Sequence, residues 1–220
     1  MQNIISQIKS CGVIPVIKLD RADDALPLCK ALADGGLFAA EITFRTDAAE
    51  ESIRRVASEM LADGHRPEML LGAGTVLNTE TAEKAVAAGA KFIVAPGTNP
   101  AVVRWCLENN VAVIPGVCTP TDVETGLSLG LTTLKFFPAE AAGGLKMLKA
   151  LSAPYISHGV TFMPTGGIDE KNLADYLALK SVIACGGSFM VKDELIKSKN
   201  WAEITRLSKE AVEIKNKARS

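Results

Sequence analysis

Six short stretches of the chain carry residues that could do chemistry. Lys135 sits in Thr133-Leu-Lys-Phe-Phe-Pro138, with apolar neighbours on both sides. Hydrocarbon around an ammonium is costly, which favours the neutral amine and makes it a nucleophile toward a carbonyl. The alternative is a packed stem whose head reaches water. Glu41, Thr43 and Arg45 alternate through Leu37-Phe-Ala-Ala-Glu-Ile-Thr-Phe-Arg45, so a strand would put them on one face. A carboxylate there can carry protons and an arginine can clamp a substrate carboxylate, unless the two simply pair. Gly72-Ala-Gly-Thr75 and Ala95-Pro-Gly-Thr98 offer small residues and a hydroxyl to an approaching ligand. Pro164-Thr-Gly-Gly-Ile168 and Gly186-Gly-Ser188 could wrap an anion in backbone N–H groups.

Other candidates have blander readings. His65 and His158 lie on polar connections with no second ligand at metal spacing, so no metal site is expected. Cys118, in Pro115-Gly-Val-Cys-Thr119, has no histidine near it in sequence and reads as a packed thiol. Trp105 and Trp201 read as helix packing residues, and Lys192–Lys199 as a solvated face.

Apolar runs rich in Val and Ile would position these groups. Strands are expected at Gly12–Ile17, Leu37–Thr43, Met69–Gly74, Lys91–Ala95, Val111–Pro115, Thr133–Phe137, Val160–Pro164 and Ser181–Cys185. Each is apolar at nearly every position, as parallel strands covered on both faces are. Helical patterns lie between them at Arg21–Ala33, Asp47–Met60, Thr79–Ala88 and Pro120–Leu129, with an amphipathic helix from Trp201 to Ala218. Alternating strands and helices predict an α/β fold, a (β/α)8 TIM barrel in a single domain over residues 1–220. A doubly wound open sheet competes less well, because no GxGxxG follows the first strand. In a barrel the chemistry would sit at the C-terminal strand ends, with an anion site in the loops after the seventh and eighth strands.

Composition narrows the function classes. The 220 residues are 48% hydrophobic, enough for a large core, with 24 basic against 25 acidic residues and a net charge of -1. Neither a disordered chain nor a basic nucleic-acid surface fits. The five cysteines form no CxxC pair, which points to free thiols in a reducing compartment. MQNIISQIKS reads as a helix without the apolar core of a signal peptide, and no run approaches a membrane span. A soluble, cytoplasmic protein is expected.

Taken together, these groups suggest imine catalysis. Lys135 would attack a ketone, and the iminium would accept electrons as an adjacent carbon–carbon bond breaks or an α-proton leaves. Glu41 would move protons, Arg45 and Thr75 would hold a keto-acid carboxylate, and the glycines near Thr165 and Ser188 would hold a phosphate.

Glu41-Ile-Thr-Phe-Arg-Thr46, Gly72-Ala-Gly-Thr-Val-Leu-Asn78, Leu134-Lys-Phe-Phe-Pro-Ala-Glu140, Pro164-Thr-Gly-Gly-Ile168 and Gly186-Gly-Ser188 resemble the 2-keto-3-deoxy-6-phosphogluconate (KDPG) and 4-hydroxy-2-oxoglutarate (KHG) aldolase family. The resemblance runs from Val13 to Val191. It implies a class I aldolase that needs no metal or other cofactor, assembles as a homotrimer, and acts on keto-acid sugar phosphates of the Entner–Doudoroff route or uronate breakdown. It assigns Lys135 to the Schiff base, Glu41 to proton transfer and Thr165 to stereochemical control. Arg45, Thr75 and Pro96 match pyruvate contacts, Phe137 lines the pocket, and Gly166, Gly167 and Ser188 match phosphate contacts. Phe44 and Phe189 depart from the family pattern. So does Ile17-Lys-Leu-Asp20, which bears on the choice between phosphorylated and unphosphorylated aldehydes. The galactonate-type aldolases rank second, followed by a metal-assisted lyase and a non-catalytic phosphosugar-binding barrel.

Overall fold

The computed structural model describes residues 1–60 and 69–219. Helix α1 (Gln2–Cys11) leads into strand β1 (Val13–Ile17), the two separated by Gly12 in the left-handed region at φ 70°. Helix α2 (Ala25–Asp34), β2 (Ala39–Thr43), α3 (Ala49–Arg55), β3 (Leu70–Gly74), α4 (Thr79–Ala88), β4 (Phe92–Val94), α5 (Pro100–Glu108) and β5 (Ala112–Ile114) follow. After Pro115 come β6 (Gly116–Val117), α6 (Pro120–Ser128), β7 (Thr133–Phe136), α7 (Gly144–Ser152) and β8 (Thr161–Phe162). The chain finishes with α8 (Leu173–Leu177), β9 (Cys185–Gly187), α9 (Asp193–Lys197) and α10 (Trp201–Arg219).

The helix starts follow from local chemistry. Asn78 and Asn99 accept from the N–H groups of Thr81 and Ala101 at the starts of α4 and α5, and Pro100 opens α5. Thr119 and Asp122 form a reciprocal capping box on α6.

All strand pairings are parallel. A curled six-stranded sheet runs β5-β4-β3-β2-β1-β9, beside a three-stranded sheet β6-β7-β8. Isolated bridges join Phe162 to Val182 and Thr165 to Gly186 between β8 and the β9 region. Side chains alternate between two cores. Val13, Ile17, Ala40, Ile42, Leu71 and Ala73 pack against the helices. Ile14, Ala39, Leu70, Phe92, Val94 and Ile114 form a second cluster on the other strand face, closed below by Ile8 of α1. Gly72 is small because the Phe92 ring fills its side: a Cβ there would lie 2.2 Å from the ring.

Several expected elements differ. The fifth strand is interrupted at Pro115, which has no N–H for a ladder. The seventh stops at Phe162 rather than Pro164, and the eighth pairs at Cys185–Gly187 rather than Ser181–Cys185. The helix expected over Asp47–Met60 starts at Ala49 and turns to π geometry over Val56–Met60. His65 lies outside the described residues. Among the described residues no helix is long and apolar enough to cross a membrane.

Candidate active site

Glu41 in β2 and Lys135 in β7 face one another from the inner side of the strands. Lys135 Nζ lies 3.5 Å from Glu41 Oε1, with the side chains 6% and 0% exposed. Among the described residues neither Glu41 oxygen accepts a hydrogen bond, so the carboxylate meets the ammonium as an ion pair and keeps its acceptor capacity. A buried pair of this kind is a poor route to stability, because desolvation offsets the attraction.

Neighbouring residues make room for the pair. A Cβ at Gly74 would lie 2.1 Å from Glu41 Oε1, so only glycine leaves the carboxylate in place. The Phe137 ring centroid is 5.2 Å from Lys135 Nζ, a cation–π distance, and the Phe137–Pro138 peptide is cis. Thr75, next after β3, occupies the left-handed region at φ 59°, unusual for a β-branched residue and a mark of local strain. Pro96 follows β4, and its carbonyl would sit 2.0 Å from a Cβ at Gly116.

Arg45 is held from behind. The Thr43 hydroxyl donates to the Ile17 carbonyl at 2.8 Å and accepts from Arg45 Nε at 3.0 Å. On the opposite wall, Gly166 and Gly167 adopt φ 100° and 79°. Their carbonyls accept from the Glu140 N–H at 3.0 Å and from Asn172 Nδ2 at 2.9 Å. Among the described residues no protein acceptor meets the two glycine N–H groups, which makes them available to an anion. Thr165 is buried between them and β9, where a Cβ at Gly186 would lie 2.4 Å from its hydroxyl.

All ten residues singled out above (Glu41, Arg45, Thr75, Pro96, Lys135, Phe137, Thr165, Gly166, Gly167 and Ser188) line one cavity of about 300 Å³. Val16, Thr43, Ile168, Gly186 and Gly187 line it too. Of these, Thr43 and the two glycines carried a sequence signal, in the alternation with Glu41 and in the double glycine. Ile168 stood only as the last residue of the Pro164–Ile168 motif, and Val16, inside an apolar run, carried none. The other flagged residues lie elsewhere. Thr98 donates to the Gly116 carbonyl, and the Cys118 N–H donates to Asp122 in the α6 cap. His158 is exposed. Among the described residues no three His, Cys, Asp or Glu converge as metal ligands.

A second cavity of about 450 Å³ continues from the first past Val16, Arg45, Gly167, Ile168 and Ser188. Lys18 stands in its wall, paired with Asp20 at 3.0 Å and Asp193 at 3.1 Å. Bonding to these carboxylates raises the Lys18 ammonium above its ordinary range, and bonding to Lys18 lowers Asp20. Phe189 is buried in this wall, while Phe44 faces a separate groove beside Arg45 and Thr75.

A buried amine paired with a carboxylate, an arginine, and a glycine pair whose N–H groups meet no protein acceptor among the described residues form a site whose chemistry suits an anionic carbonyl compound. The comparisons carry this to a carbon–carbon lyase. The KDPG and KHG aldolase family matches residues 4–207, and the chain belongs to that family. It is 47% identical over 213 residues to the 2-dehydro-3-deoxy-phosphogluconate aldolase of Haemophilus influenzae, covering 97% of each chain. It is 41% identical over 201 residues to the KHG/KDPG aldolase of Escherichia coli K12, covering 91% of each. Among solved structures, the KDPG aldolase of Legionella pneumophila with pyruvate captured as a covalent carbinolamine superposes with a TM-score of 0.86 at 39% identity, covering 94% of this chain and 97% of that one.

Proposed function

We propose that the chain is a class I aldolase that cleaves 2-dehydro-3-deoxy-6-phosphogluconate to pyruvate and glyceraldehyde 3-phosphate. The observation that carries the reading is the buried Lys135–Glu41 pair, 3.5 Å apart, in a cavity flanked by Arg45 and the Gly166-Gly167 turn. The Lys135 amine adds to the C2 ketone, and loss of water gives an iminium. The 4-hydroxyl then loses its proton, the C3–C4 bond breaks, and its electrons pass into the iminium, releasing the aldehyde and leaving the enamine of pyruvate. Protonation at C3 and hydrolysis free pyruvate and regenerate the amine. Glu41 carries these protons. Arg45 and Thr75 hold the carboxylate, with Pro96 and Phe137 as walls. Thr165 shapes the face of bond formation, and Gly166, Gly167 and Ser188 hold the phosphate.

The phosphate cradle favours this substrate over 4-hydroxy-2-oxoglutarate, whose cleavage to pyruvate and glyoxylate uses the same amine and stands as a second activity. The underlying fold is a single (β/α)8 barrel over residues 1–220. In support, β5 and β6 are parted only by Pro115, and bridges tie β8 to the β9 region. A cytoplasmic homotrimer completes the reading, in keeping with the free thiols of the five cysteines.

The test is mass spectrometry after pyruvate and borohydride, with chelator present. A reduced-pyruvate adduct on Lys135, absent from Lys135→Ala, is expected. No adduct on folded protein overturns the mechanism.

A further inference from the structure

Neither Tyr176 nor Glu140 lines the cavity that holds Lys135, and imine chemistry has no use for a phenol there. Tyr176 lies on α8, 1% exposed, and its hydroxyl donates to Glu140 Oε1. Glu140, on the exposed connection after β7, is thereby fixed against the anion-binding turn. Its N–H donates to the Gly166 carbonyl at 3.0 Å. Its Cβ and Cγ lie 2.7 Å from the point where a Gly167 Cβ would stand. Gly144, at φ 62°, leaves space for the same carboxylate: a Cβ there would lie 3.1 Å from Glu140 Oε1. Asn172, just ahead of α8, takes the Gly167 carbonyl at 2.9 Å.

Two consecutive glycines have more backbone freedom to lose than any other pair. A cradle made of them binds an anion well only if it is held in shape beforehand. Glu140 on its own is an exposed side chain with several rotamers. A buried phenol held in the core restricts it to one.

We propose that Tyr176 is a positioning residue for the phosphate cradle, acting through Glu140 to hold Gly166 and Gly167 in their anion-binding shape. The inference rests on the phosphate reading of that turn and adds the element that enforces it. It separates the two ends of the substrate: α8 governs affinity for the phosphate, while the Lys135–Glu41 pair works independently of it.

Tyr176→Phe keeps the ring and removes only the hydroxyl. The experiment compares this variant with the parent in three assays: cleavage of the phosphorylated substrate, inhibition by inorganic phosphate, and exchange of pyruvate methyl protons in deuterium oxide. Loss of a hydrogen bond to a charged group predicts a rise of about tenfold in both KM and the phosphate inhibition constant. The exchange rate, which needs no phosphate, stays near the parent value. Glu140→Ala, at an exposed position, reproduces the effect and guards against a folding defect in Tyr176→Phe. Glu140→Gln keeps an acceptor for the phenol and restores phosphate affinity toward the parent. Unchanged KM and phosphate inhibition in both Tyr176→Phe and Glu140→Ala overturn the proposal, as does an equal fall in cleavage and exchange. A parent enzyme without pyruvate exchange would sink the aldolase reading instead, and phosphate inhibition would still test the clasp.

Discussion

Arg45 is an exposed side chain, and the carboxylate-holding role proposed for it depends on what fixes its direction. Thr43 does so from the strand below: one hydroxyl donates to the Ile17 carbonyl and accepts from Arg45 Nε. Thr43→Val preserves shape and removes both bonds. The guanidinium would then sample several rotamers, and the pyruvate concentration for half-maximal proton exchange should rise about tenfold with little change in the saturated rate. Loss of the hydroxyl's bond to the Ile17 carbonyl, which keeps its place in the β1–β2 ladder, should also cost about 0.5–1.5 kcal/mol of stability by chemical denaturation. Thr43→Ser keeps the hydroxyl and should behave like the parent on both counts. Equal pyruvate saturation in the valine and serine variants would remove Thr43 from the positioning of Arg45.

At the scale of elements, the strands place chemistry by alternating bulk with its absence. Phe92 of β4 fills the space beside Gly72 of β3, and the carboxylate of Glu41 on β2 fills the space beside Gly74. Gly74→Ala puts a methyl group 2.1 Å from Glu41 Oε1, so the carboxylate must turn away from Lys135. Pyruvate proton exchange should fall by about a hundredfold, the scale of a lost general base. Borohydride trapping on Lys135 should persist at a reduced rate, since the amine itself is untouched. Exchange at the parent rate would show that Glu41 is not the proton carrier. The strands were legible in the sequence because parallel strands are apolar throughout, and the motif residues stood out as polar interruptions. The break at Pro115 could have been read from proline alone. Helices α5, α7 and α8 were harder to see: α7 opens on a double glycine, and the five residues of α8 make little more than one helical turn, too few for a periodic pattern. The contributions of Val16 and Tyr176 were hidden for a different reason. Each depends on a partner far away in the chain, and local spacing carries no trace of it.

Across the whole molecule, the cysteines couple the core to pH. Cys29, Cys106 and Cys185 are buried, whereas Cys11 and Cys118 are half-buried. Desolvation pushes the thiols of Cys29 and Cys106 up from an ordinary 9.0 to about 12, and pushes that of Cys185 up as well. Below the ordinary value, native and unfolded chains both hold these protons. Between that value and about 12 the unfolded chain releases them while the native chain keeps them. Raising the pH through this window therefore favours unfolding, by roughly 1.4 kcal/mol per buried thiol per pH unit. The thermal midpoint, followed by circular dichroism, should drop steadily above about pH 9. Replacing Cys29, Cys106 and Cys185 together by Ala should lower stability at neutral pH, because it opens cavities, and should flatten the alkaline decline. A thiol reagent at neutral pH should label Cys11 and Cys118 first and reach the other three only on unfolding. A decline equally steep in the triple variant would assign the alkaline sensitivity to other groups, and rapid labelling of Cys29 would show that the helix layer over β1 and β2 opens far more readily than its packing implies.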